Sequence, residues 1–391
     1  MISVSEALDH LFELATPLPT ETVPLTQANG RVLAEAVAAT RNQPPFSASA
    51  MDGYAVAAQG VVAGASYKVI GEAAAGHAFD GSVAAGQAVR IFTGAPVPEG
   101  AGHVVIQEDI DRDGDTITIT DRLGSGTNIR PAGGDFTVGQ TIAAPRLLRP
   151  NDVALLAAMN IGNVTVTRRP KVAIMATGDE LVMPGENPGP DQIIASNSFG
   201  LQAMLRDAGC EARLLPIARD TESSLRTAFS LIDDADLVIT IGGASVGDHD
   251  LVGKVAADLG MQRSFYKIAM RPGKPLMAGK LANGAMMIGL PGNPVSAMVC
   301  GQVFVLPVIR AMLGLGQAAP IEQTATLAHD LAANGPRQHY MRAKVDAGEI
   351  RVFGNQDSSL LTVLSTANAL LIAPPNAPRM AKGTSVRFLP I

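Results

Sequence analysis

Three short loops concentrate the residues able to do chemistry. They are Thr177-Gly178-Asp179-Glu180, the run Gly242-Gly243-Ala244-Ser245-Val246-Gly247-Asp248-His249-Asp250, and Pro291-Gly292-Asn293-Pro294-Val295-Ser296. The glycines of the second loop let backbone N–H groups approach an anion without Cβ interference, and a helix after it adds a positive dipole end. Gly-Gly alone reads more simply as a flexible turn. Three such loops on one edge of a sheet reverse that preference. Carboxylates gather at the same edge: Glu180, Asp220 and Asp250. Glu180 and Asp250 follow different strands and converge only on folding, and paired carboxylates beside an anion loop hold Mg²⁺ next to phosphate. Asp220 precedes Thr221-Glu222 and reads equally well as a helix cap.

A cationic strip follows at Lys267, Arg271 and Lys274. Most charge clusters are solvated turns. Here a Pro-Gly turn fixes Arg271 and Lys274 close together, which suits a small multivalent oxyanion. No Walker A loop and no spaced-glycine dinucleotide fingerprint occurs. The six histidines show no metal-ligand spacing, and His249 reads as a surface residue. Further upstream, Pro44 to Val56, Phe92 to Pro98 and Asn128 to Asp135 are strings of small residues, hydroxyls and acids without interleaved aromatics. They point to a polar site rather than a nucleic-acid platform.

The elements that must position these residues follow from the hydrophobic pattern. Val172-Ala173-Ile174-Met175 and Leu237 to Ile241 are all-apolar runs, as expected of strands covered on both faces. Met286 to Leu290 leads into the Pro-Gly-Asn-Pro loop, and Leu214 to Ile217 is a further candidate strand. Helical patterns at about 197–208, 221–232 and after Pro294 alternate with them, so residues 170–316 read as a doubly wound α/β domain. Residues 45–139 carry short apolar runs between turns and read as a β-rich insertion domain. Its flanks, 1–44 and 140–169, each carry an amphipathic helix and form a helical or linking domain, in which the two helices can pack together. In the first, Ser3 and Glu6 have capping-box spacing; in the second, Asn151 is the candidate cap. Residues 317–391 read as a C-terminal β-barrel or sandwich.

Composition sets the outer bounds. The chain has 391 residues, 47% hydrophobic and 17% charged, a net charge of −6 and two cysteines. General disorder, a disulfide framework and a basic nucleic-acid surface are excluded as readings. The N-terminus does not read as a secretory signal. The charge-free gap between Lys280 and Arg310 is broken by Pro-Gly-Asn-Pro, and the apolar part after Pro294 reads as too short to span a membrane. A soluble, cytoplasmic protein is the expectation.

Six strings in one order carry a resemblance: Ser-Ala-Met-Asp-Gly-Tyr-Ala (49–55), Thr-Gly-Ala-Pro-Val-Pro (93–98), Thr-Gly-Asp-Glu-Leu (177–181), Gly-Gly-Ala-Ser-Val-Gly (242–247), Pro-Gly-Lys-Pro (272–275) and Leu-Pro-Gly-Asn-Pro-Val-Ser (290–296). Over nearly its whole length the chain resembles the molybdopterin molybdenumtransferase family, the bacterial MoeA and gephyrin E-domain proteins. The resemblance implies an elongated homodimer of four-domain subunits. It implies a reaction that takes adenylylated molybdopterin and molybdate, inserts molybdenum at the dithiolene and releases AMP, assisted by Mg²⁺. It also admits the molybdopterin adenylyltransferase as a partner.

By motif, Asp52, Thr93 and Asp135 match functional polar positions of an insertion domain that, in the family, faces the α/β domain of the other subunit. Glu180, Asp220 and Asp250 match acidic positions around pterin and metal, with Glu180 and Asp250 the metal candidates. Gly242, Gly243, Ser245, Pro291, Asn293, Pro294 and Ser296 match the pterin loops, and Lys267, Arg271 and Lys274 the basic strip. Arg342 and Ser358 match positions associated with the oxyanion. Two departures stand out. Arg271 occupies a position that is commonly Lys, and Asp-His-Asp-Leu follows Gly247 where an acid, a small residue, Asp and an aromatic are usual. A pterin carrier or scaffold and the preceding adenylylation enzyme are the alternative readings. The polar strings outside the α/β domain count against the carrier and the added domains against the adenylylation enzyme, and the missing fingerprint disfavours a dehydrogenase.

Overall fold

The computed structural model describes residues 1–243 and 251–391. Its organising element is a six-stranded sheet in the order Glu211–Leu214, Lys171–Ala176, Leu237–Ile241, Met286–Leu290, Met277–Lys280, Gln262–Tyr266. The first four strands run parallel, the fifth runs antiparallel to them, and the sixth pairs antiparallel with the fifth. Successive residues of a strand face opposite sides. Val172 and Ile174 accordingly enter one apolar core, and Ala173 and Met175 another, so the run must be apolar throughout. Helices Ser196–Asp207 and Pro294–Met312 cover the first side, and Glu222–Phe229 and Leu251–Asp258 the second. This is the expected doubly wound arrangement. The strand expected over Leu214 to Ile217 lies instead at Glu211–Leu214 and stops where the expected one began, because Pro216 has no N–H to give to a ladder.

The helix after Pro294 is longer than expected. It runs 19 residues to Met312 and is long and apolar enough to cross a membrane by composition. Its place in the fold explains its apolarity: 78% of the apolar window is buried against the sheet and neighbouring helices. At Gly301 a Cβ would come within 2.9 Å of Leu201 Cδ2 and Met204 Sδ, so glycine lets two helices close on each other.

The N-terminal helix Val4–Leu14 has the expected capping box, with Glu6 N donating to Ser3 Oγ at 3.2 Å and Ser3 N to Glu6 Oε2 at 2.7 Å. Its partner differs from expectation. Val4, Leu8 and Leu11 bury in the core of the α/β domain, and Ala269 N donates to Ile2 O at 2.8 Å. The second helix, Pro150–Ala158, packs elsewhere, with Leu156 in the core of a four-stranded sheet ordered Thr20–Pro24, Asn163–Thr167, Val32–Leu33, Arg146–Leu147. An amphipathic stripe specifies burial, not against what. Nor is Asn151 its cap: Pro150 opens the helix, and Asp152 Oδ2 reaches back to Arg149 N at 2.9 Å.

The insertion folds around a sheet ordered His103–Ile106, Gly53–Val56, Gln87–Ile91, Ser66–Ala73, Thr116–Ile119, Ile110–Asp113. The C-terminal strands Gln338–Asp346, Glu349–Val352, Gln323–Leu327, Ser385–Pro390 and Ala369–Ala373 close into a barrel, the last pairing back onto the first. A sixth strand joins from outside. Met270–Arg271, from the α/β domain, pairs parallel with Gln338 and His339.

Candidate functional site

The carboxyl ends of the parallel strands open into a cleft of about 590 Å³. Its walls include Gly178, Glu180, Asn197, Asp220, Gly242, Gly243, Pro291, Asn293 and Pro294, so the three loops do converge. Backbone contacts hold them together. Thr177 N donates to Ile241 O at 3.0 Å and Gly242 N to Leu290 O at 3.2 Å. Close packing accounts for the glycines. A Cβ on Gly242, at φ +89°, would lie 2.7 Å from Thr177 O, and one on Gly243, at φ +63°, 2.3 Å from Val252 Cγ2.

The acidic end of the cleft is built by two loops. Thr221, not Asp220, caps the following helix, its side chain accepting from Ser224 N at 3.3 Å. Asp220 is thereby free to face the cleft beside Glu180. Its backbone N–H donates to Asp179 Oδ1 at 3.1 Å. Partial burial, and then the Asp179 and Glu180 charges, raise the Asp220 carboxyl above the usual range. Arg219 clamps this corner, its Nη1 donating to Asp179 O at 2.9 Å and Leu181 O at 3.1 Å. At the opposite wall Asn197 Nδ2 donates to Gly292 O at 2.7 Å. Ser245 and Asp250 lie outside the described residues, as does His249. Among the described residues no three carboxylate, imidazole or thiol groups cluster as a metal site.

A second cavity of about 320 Å³ adjoins the first. Pro275, Pro291 and Asn293 belong to both walls. The second is basic: Arg271, Lys274 and Arg337 line it, with Ser296, Gln356, Asp357 and Ser358. Gly273, at φ +111°, lets the turn press on the long helix, where a Cβ would meet Cys300 Sγ at 2.6 Å. Arg342 stands behind this wall, only 1% exposed. Its Nε donates to Gln356 Oε1 at 3.1 Å and its Nη1 to Asp357 O at 2.6 Å. Burial, and the neighbouring Arg271, lower its pKa. Buried His339 is pushed down to about 4, by burial first and then by Arg271, Arg342 and Arg337. Three guanidinium groups therefore share one small region around a neutral imidazole. A pocket of this charge takes an anion with several oxygens.

Lys267 lines neither cavity; its Nζ lies 5.0 Å from the Tyr266 ring centroid. Asp52, Thr93 and Asp135 also line neither. Asp52 and Thr93 form a site of their own on the insertion, where Thr93 N and Oγ1 each donate to Asp52 Oδ1 at 2.8 Å. Those two bonds hold the Asp52 carboxyl below the usual range. Arg90 stacks between Tyr54 and Phe92 beside them, 4.9 Å from each ring centroid. Asp135 is exposed. The sequence reading missed Arg219, Asn197, Arg337 and Gln356. Proximity in sequence to a named site residue was an available signal only for Arg219, beside Asp220, and Gln356, close to Ser358.

Comparison with known proteins bears on the whole chain. Residues 2–160 match the MoeA N-terminal region (domain I and II), 173–311 a probable molybdopterin binding domain, and 324–391 the MoeA C-terminal region (domain IV). The chain is 35% identical to the molybdopterin molybdenumtransferases of Nostoc sp. and Haemophilus influenzae. Those alignments cover all of this chain, and 94% and 98% of the relatives. The crystal structure of a MoeA protein from Pyrococcus horikoshii OT3 matches over 100% of both chains, with TM-score 0.84 and 29% identity.

Proposed function

The chain belongs to the MoeA family and is a molybdopterin molybdenumtransferase of molybdenum cofactor biosynthesis; we propose that it takes adenylylated molybdopterin and molybdate, inserts the metal and releases AMP. The observation that carries the finer reading is the shared wall of Pro275, Pro291 and Asn293 between an acidic cleft and a basic pocket. A ligand whose phosphates lie in the cleft can present its dithiolene across that wall to an oxyanion held in the pocket.

Mg²⁺ uses one or two carboxylates and completes its shell with phosphate oxygens and water. Glu180 and Asp220, whose carboxyl is raised by partial burial and then by its acidic neighbours, fit that demand. Bound there, Mg²⁺ supplies neutralisation of phosphoanhydride charge. The chain's own residues do the rest. The 242–243 and 291–294 loops shape the pterin-facing wall. Arg219 and Asn197 hold the cleft's two sides at fixed separation. Arg271, Lys274 and Ser358 offer donors to molybdate, with Arg342 adding charge from behind. Asp52, Thr93 and Asp135 line neither cavity, which supports a homodimer in which the insertion of one copy completes the site of the other.

The test is AMP release from adenylylated molybdopterin by the purified protein with Mg²⁺, with and without molybdate. Molybdate-dependent release that yields a cofactor able to activate an apo-enzyme is the expected result. Tight pterin binding without release would replace the transferase mechanism with a carrier role.

A further inference from the structure

Gln356 lines the basic pocket and reaches back to Arg342 behind it. Its Oε1 accepts from both Arg342 N, at 2.9 Å, and Arg342 Nε, at 3.1 Å. Its Nε2 donates to Arg342 O at 3.0 Å and Phe353 O at 2.8 Å. One carboxamide thus grips both the backbone and the guanidinium of a nearly fully buried arginine.

A buried guanidinium ordinarily finds a carboxylate, because an unpaired charge away from water is costly. Arg342 does not among the described residues. Its two side-chain bonds go to an amide oxygen and a backbone carbonyl. The nearby Asp357 carboxylate accepts from Ser359 N and Oγ at 2.8 and 2.6 Å rather than from the guanidinium, and favours the Arg342 charge only through space. A neutral acceptor fixes the direction of a guanidinium while leaving its charge uncancelled; a carboxylate at the same place would fix it and cancel the charge.

We propose that Gln356 is a positioning residue for the oxyanion pocket, orienting Arg342 through an uncharged clamp that leaves its guanidinium without a directly bonded carboxylate and its charge available to a bound tetrahedral dianion. The inference rests on the reading of the basic pocket as a molybdate site. It also assigns a reason for the residue type: Gln supplies both an acceptor for Nε and donors for two carbonyls, which neither Glu nor Leu does.

The experiment is equilibrium dialysis of molybdate against the full-length protein, comparing wild type with Gln356→Glu, Gln356→Leu, Arg342→Ala and Arg342→Ala/Gln356→Leu, with a thermal melt of each. Gln356→Glu, which retains the acceptor but adds a charge, is expected to bind molybdate about tenfold or more weakly than wild type at neutral pH. Gln356→Leu is expected to weaken binding while Arg342 is present and to add nothing once Arg342 is Ala. Additive losses in the double variant would reassign Gln356 to general wall stability. Wild-type affinity in Gln356→Glu with a native melt overturns the inference even if Gln356→Leu does not fold. Absence of molybdate binding by the wild type overturns the pocket reading itself, and this inference with it.

Discussion

Asp220 gives its backbone N–H to the Asp179 carboxylate while its own carboxylate faces Glu180 across the cleft. The arrangement holds Asp179, Glu180 and Asp220 at one corner, where Arg219 donates to the Asp179 and Leu181 carbonyls. A carboxyl whose pKa is raised by folding favours the folded state when protonated. That contribution is present below its ordinary range and is lost as pH rises through the raised value. Asp220→Asn is therefore expected to melt slightly above wild type at neutral pH, by about a degree once solvent screening is allowed for, and to converge with it in acid. Added Mg²⁺ should stabilise wild type more than the variant. Thermal melts from pH 4 to 8, with and without Mg²⁺, check both; identical responses to Mg²⁺ would remove Asp220 from the metal site.

Glu180 leans on Gly178, whose φ is +150° and where a Cβ would lie 2.4 Å from Glu180 Oε2. Gly178→Ala should push the carboxylate out of place and strain the loop backbone that carries it. Both Gly178→Ala and Glu180→Gln are expected to reduce AMP release by about a hundredfold or more, since metal and charge placement dominate such steps. Wild-type release by Glu180→Gln at saturating Mg²⁺ would dismiss the carboxylate.

His339 remains neutral to about pH 4 among Arg271, Arg342 and Arg337. The unfolded chain takes up its proton at the ordinary value of 6.5, well before the folded one does. Stability must then fall as pH drops from 6.5 toward 4. His339→Gln is expected to flatten that part of the melting-temperature profile. Parallel profiles for variant and wild type would mean that the imidazole takes up its proton in the fold at the same pH as in the unfolded chain.

The Asp52–Thr93 pair and the Glu180 cleft offer a test of assembly. Asp52→Asn and Glu180→Gln chains should each be inactive alone. If the insertion of one subunit completes the cleft of the other, a purified mixed dimer contains one intact site and should recover about half of wild-type activity. An inactive mixed dimer would place all these residues in one subunit's site.

Much of this was legible in the sequence where a short-range rule applies. Val172 to Met175 and Leu237 to Ile241 are apolar because both faces are covered, and glycine and proline mark where such strands stop. The three loops followed from those endings. The partner of the first helix was not legible, because Leu8 and Leu11 would satisfy any apolar surface. Gln262–Tyr266 and Met277–Lys280 were missed as sheet members because their polar and glycine content hides the strand pattern, and Gly279 is required where Gln262 O approaches. Asp220 was ambiguous because capping and site acids look alike until Thr221 is seen taking the cap. Gln356 and Arg337 carry no periodic signal at all. Their roles come from neighbours brought in by barrel closure.

The ladder between Met270–Arg271 and Gln338–His339 has an architectural corollary. Arg271 belongs by chain to one domain and by hydrogen bonding to the next. A protein truncated before Gln323 would keep the pterin-facing loops yet lose the strand that steadies Arg271, together with Arg337, Arg342 and Ser358. The basic pocket, proposed to take the oxyanion, is thus a property of the seam between two modules. Shuffling, splitting or grafting either module alone leaves that pocket behind.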